Sequence, residues 1–289
     1  MKVLAAVLVA AALAGCSQPT GDKLKLSHVH GLAYDEVSGN LYLASHHGLA
    51  RGVPDGNTWQ WEFIGDPYDY MGFTKDLVRD GVFYSSGHPD DPRAYGGVHL
   101  GLRRSTDGGE TWEQRSLKGQ VDFHALTALS SGEGHLAGSW QGKTKVSRDG
   151  GATWTDYASP PASVLALGGT AEALFAATNN GLYKTTDLTA FANWTKLAGP
   201  VSGLVSSVAV STAGTVLLAG TGDGKTGSTY RSVDGGLTWS KNNHRLIDDA
   251  PGQVLFAFAK SASTHAFAAT GSGQILETED SGASWKQIR

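Results

Sequence analysis

Seven of the ten histidines in this 289-residue chain, His28, His30, His46, His47, His88, His99 and His124, fall within residues 28–124. Neutral imidazole nitrogen is the commonest protein ligand for zinc, copper and nickel, so such a crowd raises metal binding first. His28 and His30 are two apart in an apolar run, which on a strand sends both side chains to one side, whereas the neighbours His46 and His47 diverge unless a turn bends between them. The expected ligands are His30, His47, His88 and His124, with His28 and His46 as exchangeable neighbours or supporting donors. Met71, the one methionine besides the initiator, would add a thioether and tilt the choice from zinc toward copper; packing in the core is its competing role. Asp69 and Asp122 interleave with these histidines. They could fix imidazole tautomers or cap turns, or act as a carboxylate pair in which desolvation raises one pKa to make a general acid. His135, His244 and His265 are expected to be solvated or locally satisfied.

These residues come from distant stretches, and the scaffold that must gather them is written in a repeat. Ser105 to Trp112 reads S-x-D-G-G-x-T-W, Ser147 to Trp154 and Ser232 to Trp239 repeat it in full, and Thr278 to Trp285 keeps its order of chemistry. Eroded copies stand at Asp55 to Trp59 and at Thr186-Asp187 with Trp194. The aspartates at 55, 107, 149, 187, 234 and 280 lie 52, 42, 38, 47 and 46 residues apart. A period of about 40 to 50 residues filled with short alternating runs is the mark of a β-propeller with one four-stranded blade per repeat. The expected fold is therefore all-β, a six-bladed propeller over residues 24–289, with seven blades as second choice. In each box the acidic side chain accepts backbone N–H bonds, the glycines allow positive φ, and the indole anchors the hairpin, which makes Asp107, Trp112, Asp149, Trp154, Asp234, Trp239, Asp280 and Trp285 structural.

With the boxes as register marks, the starts of the first strands and the turns between second and third strands share one face, and the boxes occupy the other. On the first face, blades 1 to 3 present the histidines, Asp69, Tyr70, Met71, Asp122 and Trp140, while blades 4 to 6 offer hydroxyls, glycines and small apolar residues. Ser86 to about Gly97 reads as a long loop on that face. Trp140, Tyr68, Tyr70 and Tyr95 could form a sugar-stacking rim or pack internally.

The eight-residue pattern resembles the Asp-box, or BNR, repeat of sialidases, sortilin-type receptors, some endoglucanases and a photosystem assembly factor. His28-Val-His-Gly-Leu-Ala, Ser45-His-His-Gly, Asp69-Tyr-Met-Gly-Phe, Ser86-Gly-His-Pro and Asp122-Phe-His-Ala together look like exported bacterial propeller lipoproteins labelled glycosylhydrolase-like. The sialidase resemblance would imply three substrate-binding arginines, a tyrosine–glutamate nucleophile and an acid/base aspartate. Here the first-blade arginine signature is absent, and Arg51, Arg103, Arg104, Arg148 and Arg231 mostly fall on third strands beside the boxes, toward the other face and the rim; only Arg93 is placed near the mouth. The expectation is a ligand-binding propeller whose ligand is a transition metal, copper or zinc, with a surface-glycan hydrolase using Asp69 and Asp122, or a non-enzymatic assembly protein, as alternatives.

The N-terminus carries an address. Lys2 followed by the apolar run Val3 to Leu13 reads as a signal peptide over residues 1–15, too short for a transmembrane span. Leu13-Ala14-Gly15-Cys16 looks like a bacterial lipobox, which implies lipidation of Cys16, a tether over 16–23 and a cell-envelope location anchored to a membrane. Cys16 is the sole cysteine, so no intramolecular disulfide can form. Without Lys2 the chain has 22 basic and 27 acidic residues, a net charge of −5, which disfavours nucleic acid as a partner. A monomer is expected, with a small ligand, metal or glycan at the histidine-rich face and room for a protein partner.

Overall fold

The computed structural model describes residue 26 and residues 28–221, 227–242, 254–271 and 273–289. The signal peptide, Cys16, the tether, the Gly222-Asp223-Gly224 turn, Ser272 and His244 lie outside the described residues. The short alternating runs become six four-stranded antiparallel sheets. Blade 1 holds β1 (Val29–Asp35), β2 (Asn40–Ser45), β3 (Gly48–Asp55) and β4 (Thr58–Ile64). Blade 2 holds β5 (Asp69–Lys75), β6 (Phe83–His88), β7 (Leu102–Ser105) and β8 (Glu113–Ser116), with the single-turn helix α1 (Pro92–Tyr95) between β6 and β7. Blade 3 follows with β9 (Ala125–Ala128), β10 (Leu136–Trp140), β11 (Lys143–Ser147) and β12 (Thr155–Ala158). Blade 4 is β13 (Val164–Gly169), β14 (Leu174–Thr178), β15 (Gly181–Thr185) and β16 (Thr195–Lys196). Blade 5 is β17 (Leu204–Val210), β18 (Val216–Thr221), β19 (Gly227–Ser232) and β20 (Ser240–Lys241). Blade 6 is β21 (Val254–Phe258), β22 (Ala266–Thr270), β23 (Ile275–Thr278) and β24 (Lys286–Gln287).

Burial follows position in the blade. The second strands β14, β18 and β22 are buried along their whole length, because neighbouring blades cover both their faces, whereas the outermost β4 and β12 alternate or face water. Blade 6 meets blade 1 through a shared core and a backbone-to-side-chain bond: Leu26, Val29 and Leu32 pack with Phe267 and Ile275, and the Ser261 N–H donates to Glu36 Oε2 at 2.9 Å.

The three full boxes and the copy at Thr278 to Trp285, where Ser281 replaces the first glycine, have one hydrogen-bond plan. The hydroxyl of Ser105, Ser147, Ser232 or Thr278 accepts the N–H of the glycine four residues on, at 2.8 to 3.0 Å. The aspartate accepts the N–H of the residue four positions ahead at 2.8 to 3.0 Å, and each indole Nε1 donates to the second-glycine carbonyl. Bonds from the Ser284 hydroxyl and backbone push the Asp280 pKa down to about 2. The eroded copies fold differently. Asp55 ends β3 in a tight hairpin, and Trp194 Nε1 donates to the Ala158 carbonyl across to blade 3.

Four of the six innermost strands carry a bulge at one register. Pairing skips His30 in β1, Met71 in β5, Leu165 in β13 and Ser206 in β17. A bulge bends the strand and re-aims the extra side chain, here at the end where the first strands enter the sheets. The bulged His30 and Leu165 line one cavity of about 90 Å³ together with His124 and Leu255.

Candidate metal centre

Register places the first group. Asp69 opens β5 and pairs with His88 at the end of β6. The β2–β3 hairpin, closed by the Ser45–Gly48 pair, has His46 and His47 as its two central residues, and two adjacent turn residues point apart. His46 turns inward, with its Nε2 3.1 Å from His30 Nε2 and its Nδ1 2.8 Å from Asp69 Oδ1. His47 is exposed, and its backbone N–H is bonded to Ser45 Oγ. The structure thus brings His46 to His30 and Asp69, where the sequence reading puts His47 as the ligand and His46 as its neighbour. His28 holds φ 55°, is exposed, and its ring centroid lies 5.2 Å from that of His46.

The line of polar groups continues across blades 2 and 3. Asp69 Oδ2 is 3.6 Å from His88 Nδ1, and Asp122 Oδ2 takes both His88 Nε2 at 2.9 Å and His124 Nε2 at 2.8 Å. Asp122 precedes β9 in a segment held by the Phe123 N–H bond to buried Ser86 Oγ, 2.9 Å long. β9 starts only at Ala125, which leaves Asp122 and His124 on the approach to the sheet and not at a strand start.

His99 joins from the far side of the insertion. The loop expected over 86–97 is shorter at its start, since Ser86, Gly87 and His88 belong to β6, and it contains α1 capped by Asp91. Its return is pinned by the Leu100 N–H bond to the Gly87 carbonyl, 2.8 Å, which sets the His99 ring 6.1 Å from His88 and 5.3 Å from Trp140. His88 and His99 bracket the insertion, and that bracketing was the available sequence signal for His99.

Two sets of donors result. One donor atom from each of His30, His46 and Asp69 lie within 4.8 Å of one another, and so do those of His88, His99 and Asp122. Donors about 2.0–2.1 Å from a tetrahedral zinc sit roughly 3.3 Å apart, inside the 4.8 Å that bounds each set. Burial and the neighbouring His46 push His30 down to about 4, so its ring is neutral and able to ligate at neutral pH. The hydrogen bond to Asp122 raises the His124 pKa. Asp69 Oδ1 approaches His46 without the angle of a hydrogen bond, and Asp69 Oδ1, Asp122 Oδ1 and His99 Nδ1 are buried atoms with no hydrogen-bond partner. Each carboxylate touches two imidazoles, an arrangement suited to ligation or to orienting histidines rather than to a free acid and base.

Other expected site residues fall elsewhere. Met71 is the half-buried bulged residue of β5. Tyr70 is completely buried against Trp112, which removes it from any sugar-stacking rim, and burial raises its pKa. Tyr68 and Tyr95 pack on each other at 5.8 Å, and Arg103 lies over Tyr68 while bonded to Asp66. Arg51 pairs with Glu62 and Glu110, and Arg231 with the Asp280 carbonyl at a box turn, as their third-strand positions implied. Trp140 remains beside the site, on a groove of about 310 Å³ that also includes Asp122, His124 and Ser163.

The BNR/Asp-box repeat family matches residues 103–114. This is a BNR-repeat propeller. Among solved structures, the propeller is similar to an ancestral GH74 enzyme at 15% identity and TM-score 0.54, over 87% of this chain and 35% of that one. It is also similar to the GH74 xyloglucanase of Xanthomonas campestris, at 18% identity and TM-score 0.56 over 88% and 45% of the two chains. YCF48 of Cyanidioschyzon merolae matches at 15% identity and TM-score 0.53 over 90% and 84%. The chain spans less than half the length of the two GH74 enzymes, and at these identities the likeness is one of fold. No curated protein matches the sequence.

Proposed function

We propose that this propeller binds a divalent transition-metal ion at His30, His46 and Asp69 on the mouth of its channel. The observation that carries the reading is the convergence of three donors from three separate elements within 4.8 Å, in a set that includes a buried carboxylate oxygen without a hydrogen bond. Two imidazoles and one carboxylate suit zinc, and three protein ligands leave a coordination position for water or an external ligand, as in sites of the catalytic class. Copper is the competing ion, since imidazole serves it equally. Zinc-loaded, desalted full-length protein should retain metal. His46→Ala and Asp69→Asn should each weaken that site by more than the about 10–100-fold that loss of a supporting hydrogen bond to a ligand costs. Full retention by both variants would end the proposal.

The same reading places the chain in the cell envelope, anchored through an acylated Cys16; the lipobox-like Leu13 to Cys16 supports it. On fractionation of expressing bacteria, the intact chain should follow the membranes and Cys16→Ala should leave them. Equal membrane retention of the variant would count against the anchor.

A further inference from the structure

Asp122 is 4% exposed, and although its Oδ2 meets two imidazoles its Oδ1 has no hydrogen-bond partner. His99 Nδ1 is also buried and unpartnered. Leaving a buried polar atom unsatisfied is destabilising, so two such atoms in neighbouring residues of one cluster call for a partner. The pairing of Asp122 with His88 and His124 leaves the His99 nitrogen unanswered. His88, His99 and Asp122 each bring one donor atom within 4.8 Å of the others, and a cation among them would take a lone pair from imidazole nitrogen and carboxylate oxygen alike.

We propose that His88, His99 and Asp122 form a second metal centre, so that the chain holds two divalent transition-metal ions side by side. This rests on the reading of His30, His46 and Asp69 as the first centre. Both sets contain two histidines and one aspartate, and in each the three donors lie within 4.8 Å of one another. Asp69 joins them: its Oδ1 faces His46 of the first set, and its Oδ2 lies 3.6 Å from His88 Nδ1 of the second. The side chain of His124 donates to Asp122 from the outer side and orients the carboxylate. Asp122 and His124 also line the groove beside Trp140, so a ligand in that groove would reach the second ion before the first.

The test is the number of ions bound by chelator-stripped full-length protein titrated with zinc and checked by elemental analysis. Two per chain are expected, falling to one in His99→Ala and to one in His46→Ala. Saturation of the wild type at one ion that His99→Ala keeps and His46→Ala loses would overturn the second centre and leave the first standing. No bound zinc in the wild type would remove both. If His99→Ala does not fold, copper(II)-loaded wild type decides. Two adjacent ions should give a dipolar-broadened paramagnetic resonance spectrum with a half-field line, whereas the spectrum of isolated copper at full loading would overturn the proposal.

Discussion

Ser86 is completely buried, and its hydroxyl accepts the Phe123 N–H at 2.9 Å, tying blade 2 to the segment that carries Asp122 and His124. A Ser86→Ala variant removes the acceptor and leaves that N–H buried, at an expected cost of about 1–3 kcal/mol in urea unfolding. A loss below a few tenths of a kcal/mol would show that the bond carries no weight. Single residues were also where sequence reading had least purchase. His46 and His47 are the same residue type at neighbouring positions. Only the hairpin closed by Ser45 and Gly48 decides which imidazole turns toward His30. Asp69 and Asp122 were legible as partners of the histidines, while His99 was counted with the crowd and left out of the ligand set.

The boxes were legible as elements because each closes its hydrogen bonds within about four residues, so the local sequence specifies them without help from the rest of the chain. Their two glycines nevertheless do different work. Gly150 and Gly151 have φ of 70° and 78°, but a Cβ on Gly150 would meet nothing nearer than the Tyr84 hydroxyl at 3.4 Å, whereas one on Gly151 would lie 2.0 Å from Leu102 Cδ2 of the preceding blade. Gly150→Ala should cost about 1–2 kcal/mol, the strain of a left-handed alanine. Gly151→Ala should cost more by the about 1–3 kcal/mol of overpacking a full core. Urea midpoints of the two variants check this, and equal losses would show that the box does not act as an inter-blade contact. The insertion in blade 2 was misread for a related reason. Gly87 looks like a chain breaker, yet it pairs with Tyr70 inside the sheet, where a Cβ would fall 1.9 Å from the Asp69 carbonyl.

At the scale of the molecule, the repeat spacing of the boxes determined the fold class, the six blades and the face opposite the histidines, because a short recurrent motif sets the length of chain each blade must use. It also exposed the asymmetry of the ring: blades 1 to 3 bring His30, His46, Asp69, His88, Asp122 and His124 to the mouth, and blades 4 and 6 bring Leu165 and Leu255. Tertiary structure decided the rest. The bulge that re-aims His30, the hairpin that selects His46 and the loop return that delivers His99 depend on contacts between strands far apart in sequence. Donor convergence is a property of distances in space, and a linear pattern of residue types constrains those distances only once the ring has closed.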